Sequence, residues 1–443
     1  MRLIWSLYLN TRLYALLGGT IGLFILAQFF PILFAFAQFG IVIIAVLFGI
    51  DIFMLYRFEG ACSAKRIVPE KLSNGDQNAI RLYIENRYPF DIVCSIIDEV
   101  PFQFQLRDLL FESAIQARST KQLQYLLRPV ERGEYHFGTL NVYATGPIGF
   151  CKRRYQFGEE HKVPTYPSYI QMRQYQIMAI SNRLTEVGVK KIRRLGNSSE
   201  FEQIKEYVRG DDYRTVNWKA TARAGKLMVN QYTDARAQNV YCLIDKSRVM
   251  RMPFEGMTLL DYAINASLVM SNIAIYRHDK AGLISFAENV DTYLPASSRP
   301  TQMNRIMEAL YKQDTEFKEA DYGRLYAWVR RKITHRSLLI LFTNFEAIES
   351  MRRQLSFLKR LGRSHLLLVV FFENTELKRL LSSTPKDTEG IYVKAIGENF
   401  AYQKRQIVKE LEVNGILSII TPPQKLTINT LNKYLEMKAK GMI

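Results

Sequence analysis

Between Glu200 and Arg223 the chain sets acids, bases and aromatics at short, fixed offsets. Glu200-Phe201-Glu202 is followed by Glu206-Tyr207, then Arg209-Gly210-Asp211-Asp212-Tyr213-Arg214, then Trp218-Lys219 ahead of Ala220-Thr221-Ala222-Arg223. Arginine guanidinium groups pair with carboxylates as planar forks, and Gly210 suits a tight turn among them. No nucleophile stands beside a base in this run, so the chemistry on offer is recognition and charge pairing, and a self-satisfied surface network is the plain alternative. A second candidate lies just downstream, where the apolar run Val240-Tyr241-Cys242-Leu243-Ile244 ends in Asp245-Lys246-Ser247.

The elements that must position these residues follow from periodicity. From Val240 onward, continuous apolar runs alternate with helical spacing. Strands are expected at 240–244, 281–286, 337–342, 365–372 and 415–420, with helices over 261–277, 301–311, 322–333 and 351–362. That alternation predicts a doubly wound α/β sheet, whose working surface lies beyond the carboxyl ends of the strands. Asp245 and Ser247 fall at that edge. Upstream, residues 61–167 read as short alternating strands (79–84, 90–97, 122–127) with turn signals such as Ser73-Asn74-Gly75-Asp76 and Arg132-Gly133, which predicts a β-sandwich. The stretch 168–238, holding Lys190-Lys191 and Arg193-Arg194, reads as a basic linker plus the charged segment.

From Leu13 to Ile50 there is no charged residue. One bilayer crossing needs about 20 apolar residues, so this run suits two short crossings with a turn near Pro31. Residues 1–58 are therefore expected to form a transmembrane hairpin. Arg2 and Arg12 before it, and Arg57, Lys65 and Arg66 after it, place both ends in the cytoplasm by the positive-inside rule. The expectation is a multi-pass inner-membrane protein with its bulk in the cytoplasm. A signal-peptidase site at Ala35-Phe36-Ala37 would instead give an extracytoplasmic envelope protein.

The 443 residues carry a formal net charge of +18, and 48% of them are hydrophobic, which excludes a disordered chain and favours an anionic partner. Cys62, Cys94, Cys151 and Cys242 are scattered, as are the five histidines, so neither a zinc site nor a disulfide framework is expected. Phosphate-loop, nucleophile-elbow and zinc-protease motifs are absent from the sequence, and the reading is not an enzyme.

The segment from Ser199 to Leu227 closely resembles the signature of the bacterial family known as domain of unknown function 58. The matching pieces are Ser199-Glu200-Phe201, Glu206-Tyr207, Gly210-Asp211-Asp212, Arg214, Asn217-Trp218-Lys219, Ala222-Arg223 and Gly225-Lys226-Leu227. Gly146-Pro147-Ile148-Gly149-Phe150 and the terminal Tyr434-Leu435-Glu436-Met437-Lys438 are similar to further parts of the family. The resemblance implies a von Willebrand A-like domain over 239–443 and a role as a membrane-anchored adaptor for a MoxR-type AAA+ ATPase. It implies structural or partner-contacting roles for Glu200, Phe201, Tyr207, Arg209, Asp211, Arg214, Trp218 and Arg223.

It also implies a magnesium loop of the form Asp-x-Ser-x-Ser at the strand edge, to which Asp245, Ser247 and Asn344 would correspond. Here Val249 stands in place of the second serine and Asn344 in place of an acid. No threonine is evident near Ala320-Asp321-Tyr322, where Asp321 is the one substitute oxygen. The expectation is a degenerate site, with magnesium admitted only there and no other cofactor. Membrane lipids are expected partners; no small-molecule substrate or nucleic acid is expected. Direct lipid or nucleic-acid binding through the positive charge is the alternative function.

Overall fold

The computed structural model describes residues 6–106, 109–158, 160–180, 200–208, 211, 213–233, 237–315, 317–345, 347–375, 377, 381 and 387–443. The chain divides into two compact units, Met1–Tyr166 and Pro167–Ile443.

In the first unit two apolar helices, α1 (Thr11–Ala27) and α2 (Ile32–Tyr56), form a hairpin. The Asn10 side chain caps α1 by accepting from the Thr11 N–H at 2.9 Å. By length and composition α2 can cross a membrane; α1 is apolar but shorter. A three-residue strand, β1 (Leu7–Leu9), precedes α1, and after α2 come β2 (Cys62–Ile67), β3 (Leu72–Ser73), β4 (Asn78–Asn86), β5 (Ile92–Asp98), β6 (Leu110–Ile115), β7 (Thr120–Leu127), β8 (Gly133–Phe137), β9 (Leu140–Thr145), β10 (Cys151–Phe157) and β11 (His161–Tyr166). They form three sheets in the orders β1-β10-β9-β5-β6, β2-β4-β7 and β3-β11-β8.

Alternate residues of these strands enter one apolar core. Ile80, Leu82 and Ile84 of β4 meet Ile92, Cys94 and Ile96 of β5 and Val142 and Ala144 of β9 there. Leu55 of α2 is buried in the same core, so the hairpin is fixed to the sheets. Asp51 makes the most specific link. Its fully buried carboxylate accepts the N–H groups of Phe150 and Cys151 at 2.8 and 2.9 Å. The Asn10 N–H donates to the Phe150 carbonyl at 2.9 Å, and β1 pairs antiparallel with β10.

In the second unit, α3 (Tyr169–Ile180) comes first, then β12 (Glu200–Glu206), the short α4 (Trp218–Ala224) and β13 (Met228–Thr233). Of the basic linker and signature segment expected over 168–238, the first residues are not linker: Tyr175 and Ala179 of α3 are buried in the core of this unit, and the Ser168 N–H donates to Asn265 at 2.9 Å, while Lys190-Lys191 and Arg193-Arg194 lie outside the described residues. Aromatic and small side chains on one face of α3 gave it something to bury, which the basic run beyond it obscured in the sequence. Apart from a two-residue hairpin pairing Pro253–Phe254 with Met257–Thr258, the remaining strands and α-helices are β14 (Asn239–Asp245), α5 (Leu259–Tyr276), β15 (Lys280–Phe286), β16 (Val290–Ser297), α6 (Gln302–Tyr311), α7 (Tyr322–Lys332), β17 (Leu338–Phe342), α8 (Ile348–Ser364), β18 (Leu366–Phe372), α9 (Thr388–Val413), β19 (Leu417–Thr421) and α10 (Leu426–Ala439).

The main sheet has the order β16-β15-β14-β17-β18-β19, and every pairing is parallel except that of the edge strand β16. Because side chains alternate along a strand, each central strand feeds two cores. Val240, Cys242 and Ile244 of β14 join Leu338, Ile340 and Phe342 of β17 against α5 and α10. Tyr241 and Leu243 join Leu339 and Leu341 against α7, α8 and α9. Helix α5 is as apolar as a membrane span, yet it is mostly buried within this unit. Thr258 and Asp261 start it with a reciprocal capping box. Helix α10 is locked by the buried Asp279, whose carboxylate accepts the Tyr434 hydroxyl and the Lys438 ammonium, the latter at 2.6 Å.

Candidate functional site

The register of the parallel sheet builds the edge. Ile244 of β14 lies opposite Phe342 of β17, so the next residues, Asp245 and Thr343, emerge side by side at the carboxyl ends. The Asp245 carboxylate is buried. One oxygen accepts the Ser247 N–H at 2.8 Å; the other accepts the Thr343 hydroxyl at 2.7 Å and faces the Tyr322 phenol at 3.4 Å. The Tyr322 and Thr343 oxygens are themselves 2.8 Å apart. Burial raises the Asp245 carboxyl above its ordinary value, against the opposing pull of its Ser247, Thr343 and Tyr322 hydrogen bonds. Burial, and then the neighbouring Asp245, push the Tyr322 phenol well above its ordinary value.

Asn344, the residue standing in place of an acid, is 3% exposed and its amide oxygen accepts the Lys404 ammonium at 2.6 Å. The same ammonium reaches the Phe372 carbonyl at 2.8 Å. A hard divalent cation wants several anionic or free oxygen ligands. Here one carboxylate is engaged by three donors, and the amide oxygen already carries a cation from α9. The donor set does not fit magnesium. Asp321 is used elsewhere, accepting the Arg324 N–H at 2.9 Å as the N-cap of α7. Val249 packs against the apolar core. What remains open at the edge is a shallow cleft lined by Ser247, Arg248, Glu319, Tyr322, Asn344 and Arg353.

Tyr322 and Lys404 are site residues that sequence reasoning missed. Tyr322 had a signal, since it directly follows the loop in which a hydroxyl was sought; nothing in the sequence ties Lys404 to Asn344.

The charged segment stands apart from this edge. β12 and β13 pair antiparallel, with Glu200 and Phe201 opposite Thr233 and Tyr232, and α4 is inserted between them. Asn217 caps α4 by accepting the Ala220 N–H at 3.0 Å, and Gly225 ends it at a φ of 65°, where a side chain would be strained. Asp211 accepts the Lys205 ammonium at 2.9 Å and the Val208 N–H at 3.0 Å, and Lys205 holds its carboxyl below the usual range. The Tyr207 N–H donates to the Leu227 carbonyl at 2.8 Å. These contacts shape the backbone and leave the large side chains outward: Trp218 is 73% exposed, Tyr213 72%, and Arg214 and Arg223 are exposed beside them. The Arg214 guanidinium lies 5.8 Å from the Tyr213 ring centre. Arg209 lies outside the described residues.

Residues 203–379 match the family described as protein of unknown function DUF58. This chain carries a DUF58 segment. The segment begins in β12, runs past the Asp245 edge and ends at residue 379, beyond β18. Among curated proteins, the uncharacterized protein YeaD of Bacillus subtilis (strain 168) is 23% identical over 201 residues, which is 43% of this chain and 49% of YeaD. The chain thus spans about half the length of that relative. Among solved structures, the conserved hypothetical protein BatB of Bacteroides thetaiotaomicron aligns over 46% of this chain and all of its own, with 14% identity and a TM-score of 0.30. The human CEP192 PapD-like domain aligns over 24% of this chain and 86% of its own, with 13% identity and a TM-score of 0.19.

Proposed function

We propose that this chain is a membrane-anchored adaptor that binds a partner protein through the surface of its DUF58 segment, the partner being a MoxR-type AAA+ ATPase. In this reading the first unit is a β-sandwich set on a two-helix membrane hairpin in the inner membrane. The second is a von Willebrand A-like domain whose metal loop has become a hydrogen-bonded lock. One observation carries the proposal. Trp218, Tyr213, Arg214 and Arg223 are all exposed within residues 213–223, on a backbone that is capped and paired without their side chains, and the Arg214 guanidinium lies against the Tyr213 ring. Exposed tryptophan and arginine on a rigid support are the side chains that most often dominate protein interfaces.

The hairpin reading draws support from β1. The segment before α1 pairs with β10 and α2 leads directly into β2, so one β unit holds both ends of the hairpin. Removal of the chain up to Ala37 would strip β1 and α1 from that unit, which argues against the cleaved alternative. The ATPase partner comes from the family resemblance and from the absence of a phosphate-binding loop in the sequence.

The test is purification of the full chain from native membranes in mild detergent, with co-purifying proteins identified by mass spectrometry. An AAA+ ATPase recovered with the parent chain, and reduced at least tenfold with Trp218→Ala or Arg223→Glu, is the expected result. Equal recovery with both variants would place the contact elsewhere, and recovery of no ATPase in any sample would refute the adaptor reading.

A further inference from the structure

Helices α7 and α8 both finish at the end of the sheet opposite the Asp245 edge, just before β17 and β18 begin. Their last turns enclose a groove. Tyr326, Val329, Ile333 and Leu361 give it a largely apolar floor, while Arg330, Thr334 and Ser364 stand at its rim. His365 closes it, with a side chain that is 4% exposed and a buried Nδ1 that has no hydrogen-bond partner.

Around the groove the charge is one-sided. Arg330, Arg331, Lys332, Arg336, Arg360 and Arg363 are exposed, and none is ion-paired among the described residues. Neither 322–345 nor 350–372 contains an aspartate or glutamate. Cations in a last helical turn also complement the helix dipole, but two helix ends supply only about one negative charge between them. Most of this positive charge is therefore left without a partner.

We propose that the groove and its basic rim hold the phosphate of an anionic phospholipid headgroup. Arg330 supplies a planar set of donors, Thr334 and Ser364 supply hydroxyls, and the Nδ1 of His365 supplies a further polar contact. The groove has one aromatic ring, Tyr326, and the Arg360 guanidinium already lies 5.9 Å from its centre, so the apolar floor suits the glycerol end of a lipid better than a nucleic-acid strand, which would call for a row of stacking aromatics along its track. Basic clusters on membrane-attached proteins are drawn to anionic headgroups in this way. The inference rests on the membrane placement of the hairpin and is independent of the ATPase.

The experiment places the full chain in nanodiscs of phosphatidylcholine alone or with added phosphatidylglycerol, and follows hydrogen exchange over residues 326–336 and 360–366. Protection that appears only with phosphatidylglycerol is expected. Each cation near an anionic surface contributes about fivefold to binding, so the double variant Arg330→Glu with Arg363→Glu should cut the lipid-dependent protection at least twentyfold. Both positions are exposed, so folding is retained.

Equal protection in neutral discs would overturn the proposal. So would equal protection from millimolar inorganic phosphate in neutral discs, or stronger protection from a single-stranded oligonucleotide. A chain that enters discs of neither composition would overturn the membrane reading, and the groove proposal with it; normal entry without protection would overturn the groove alone.

Discussion

Replacing Asp245 by asparagine separates a lock from a metal site. Burial raises the folded-state pKa of Asp245 above its ordinary value. The folded state therefore holds the Asp245 proton more tightly than the unfolded chain does. The stability this contributes is fully present below the unfolded pKa and is lost as pH rises through the folded value. Each unit of that shift corresponds to about 1.4 kcal/mol. Asp245→Asn holds the position uncharged at every pH and keeps an oxygen for the Ser247 N–H, while the Thr343 and Tyr322 hydroxyls can turn to accept from the new amide. The variant should be at least as stable as the parent at pH 7, and should lose the acid-range gain in stability. Asp245→Ala should behave oppositely, because the Ser247 N–H and the Thr343 hydroxyl lose their acceptor at about 1–3 kcal/mol each. The assay is native-state hydrogen exchange over 239–245 and 338–342 in the full detergent-solubilised chain, corrected for the pH dependence of intrinsic exchange. An asparagine variant as damaged as the alanine one, or a parent chain stabilised by magnesium where the asparagine variant is not, would refute this account.

Three other perturbations test the packing around the sites. Tyr434→Phe removes the hydroxyl that donates to buried Asp279 and should cost about 1.5–3 kcal/mol, seen as faster exchange across 426–439. Gly282→Ala would press its new Cβ into the Tyr241 ring and to 2.9 Å from the Leu294 carbonyl, so a loss of about 1–3 kcal/mol is expected in thermal unfolding. Asp51→Ala leaves the buried N–H groups of Phe150 and Cys151 without an acceptor; the buried Cys151 thiol should then react with maleimide markedly faster than in the parent chain.

The legible parts of the fold were those that a single periodic signal encodes. The run Val240 to Ile244 is apolar throughout because its two faces serve two cores, and that pattern marks a central parallel strand from sequence alone. Edge strand β16 was missed because only Asp291 and Pro295 of it are exposed and the rest is half-buried, so Val290-Asp291-Thr292-Tyr293-Leu294-Pro295 shows neither a continuous apolar run nor a period-2 alternation. Helix α9 was missed for a related reason: of its residues only Gly397, Ile407 and Leu411 are buried, too few to mark a helical face. At the site, Asp245 and Ser247 could be placed because position after a strand is a local property. The ammonium of Lys404 on Asn344 spans 60 residues of sequence and depends on how α9 crosses the sheet, so no local pattern could report it.

That long-range contact changes what the edge can do. With an acid at position 344 and no lysine nearby, two carboxylates would face each other and favour a divalent cation to neutralise them. With Asn344 and Lys404, the neutralising charge is covalently part of the chain, and the amide oxygen is already satisfied. The edge then needs no ion to stay closed, and Thr343, Tyr322 and Asp245 hold the ends of β14 and β17 against α7 through hydrogen bonds alone. A partner that engages the cleft would meet the side chains of Arg248, Glu319 and Arg353, two cations and one acid, instead of completing a metal shell. Affinity at such a surface should respond to ionic strength and not to chelation.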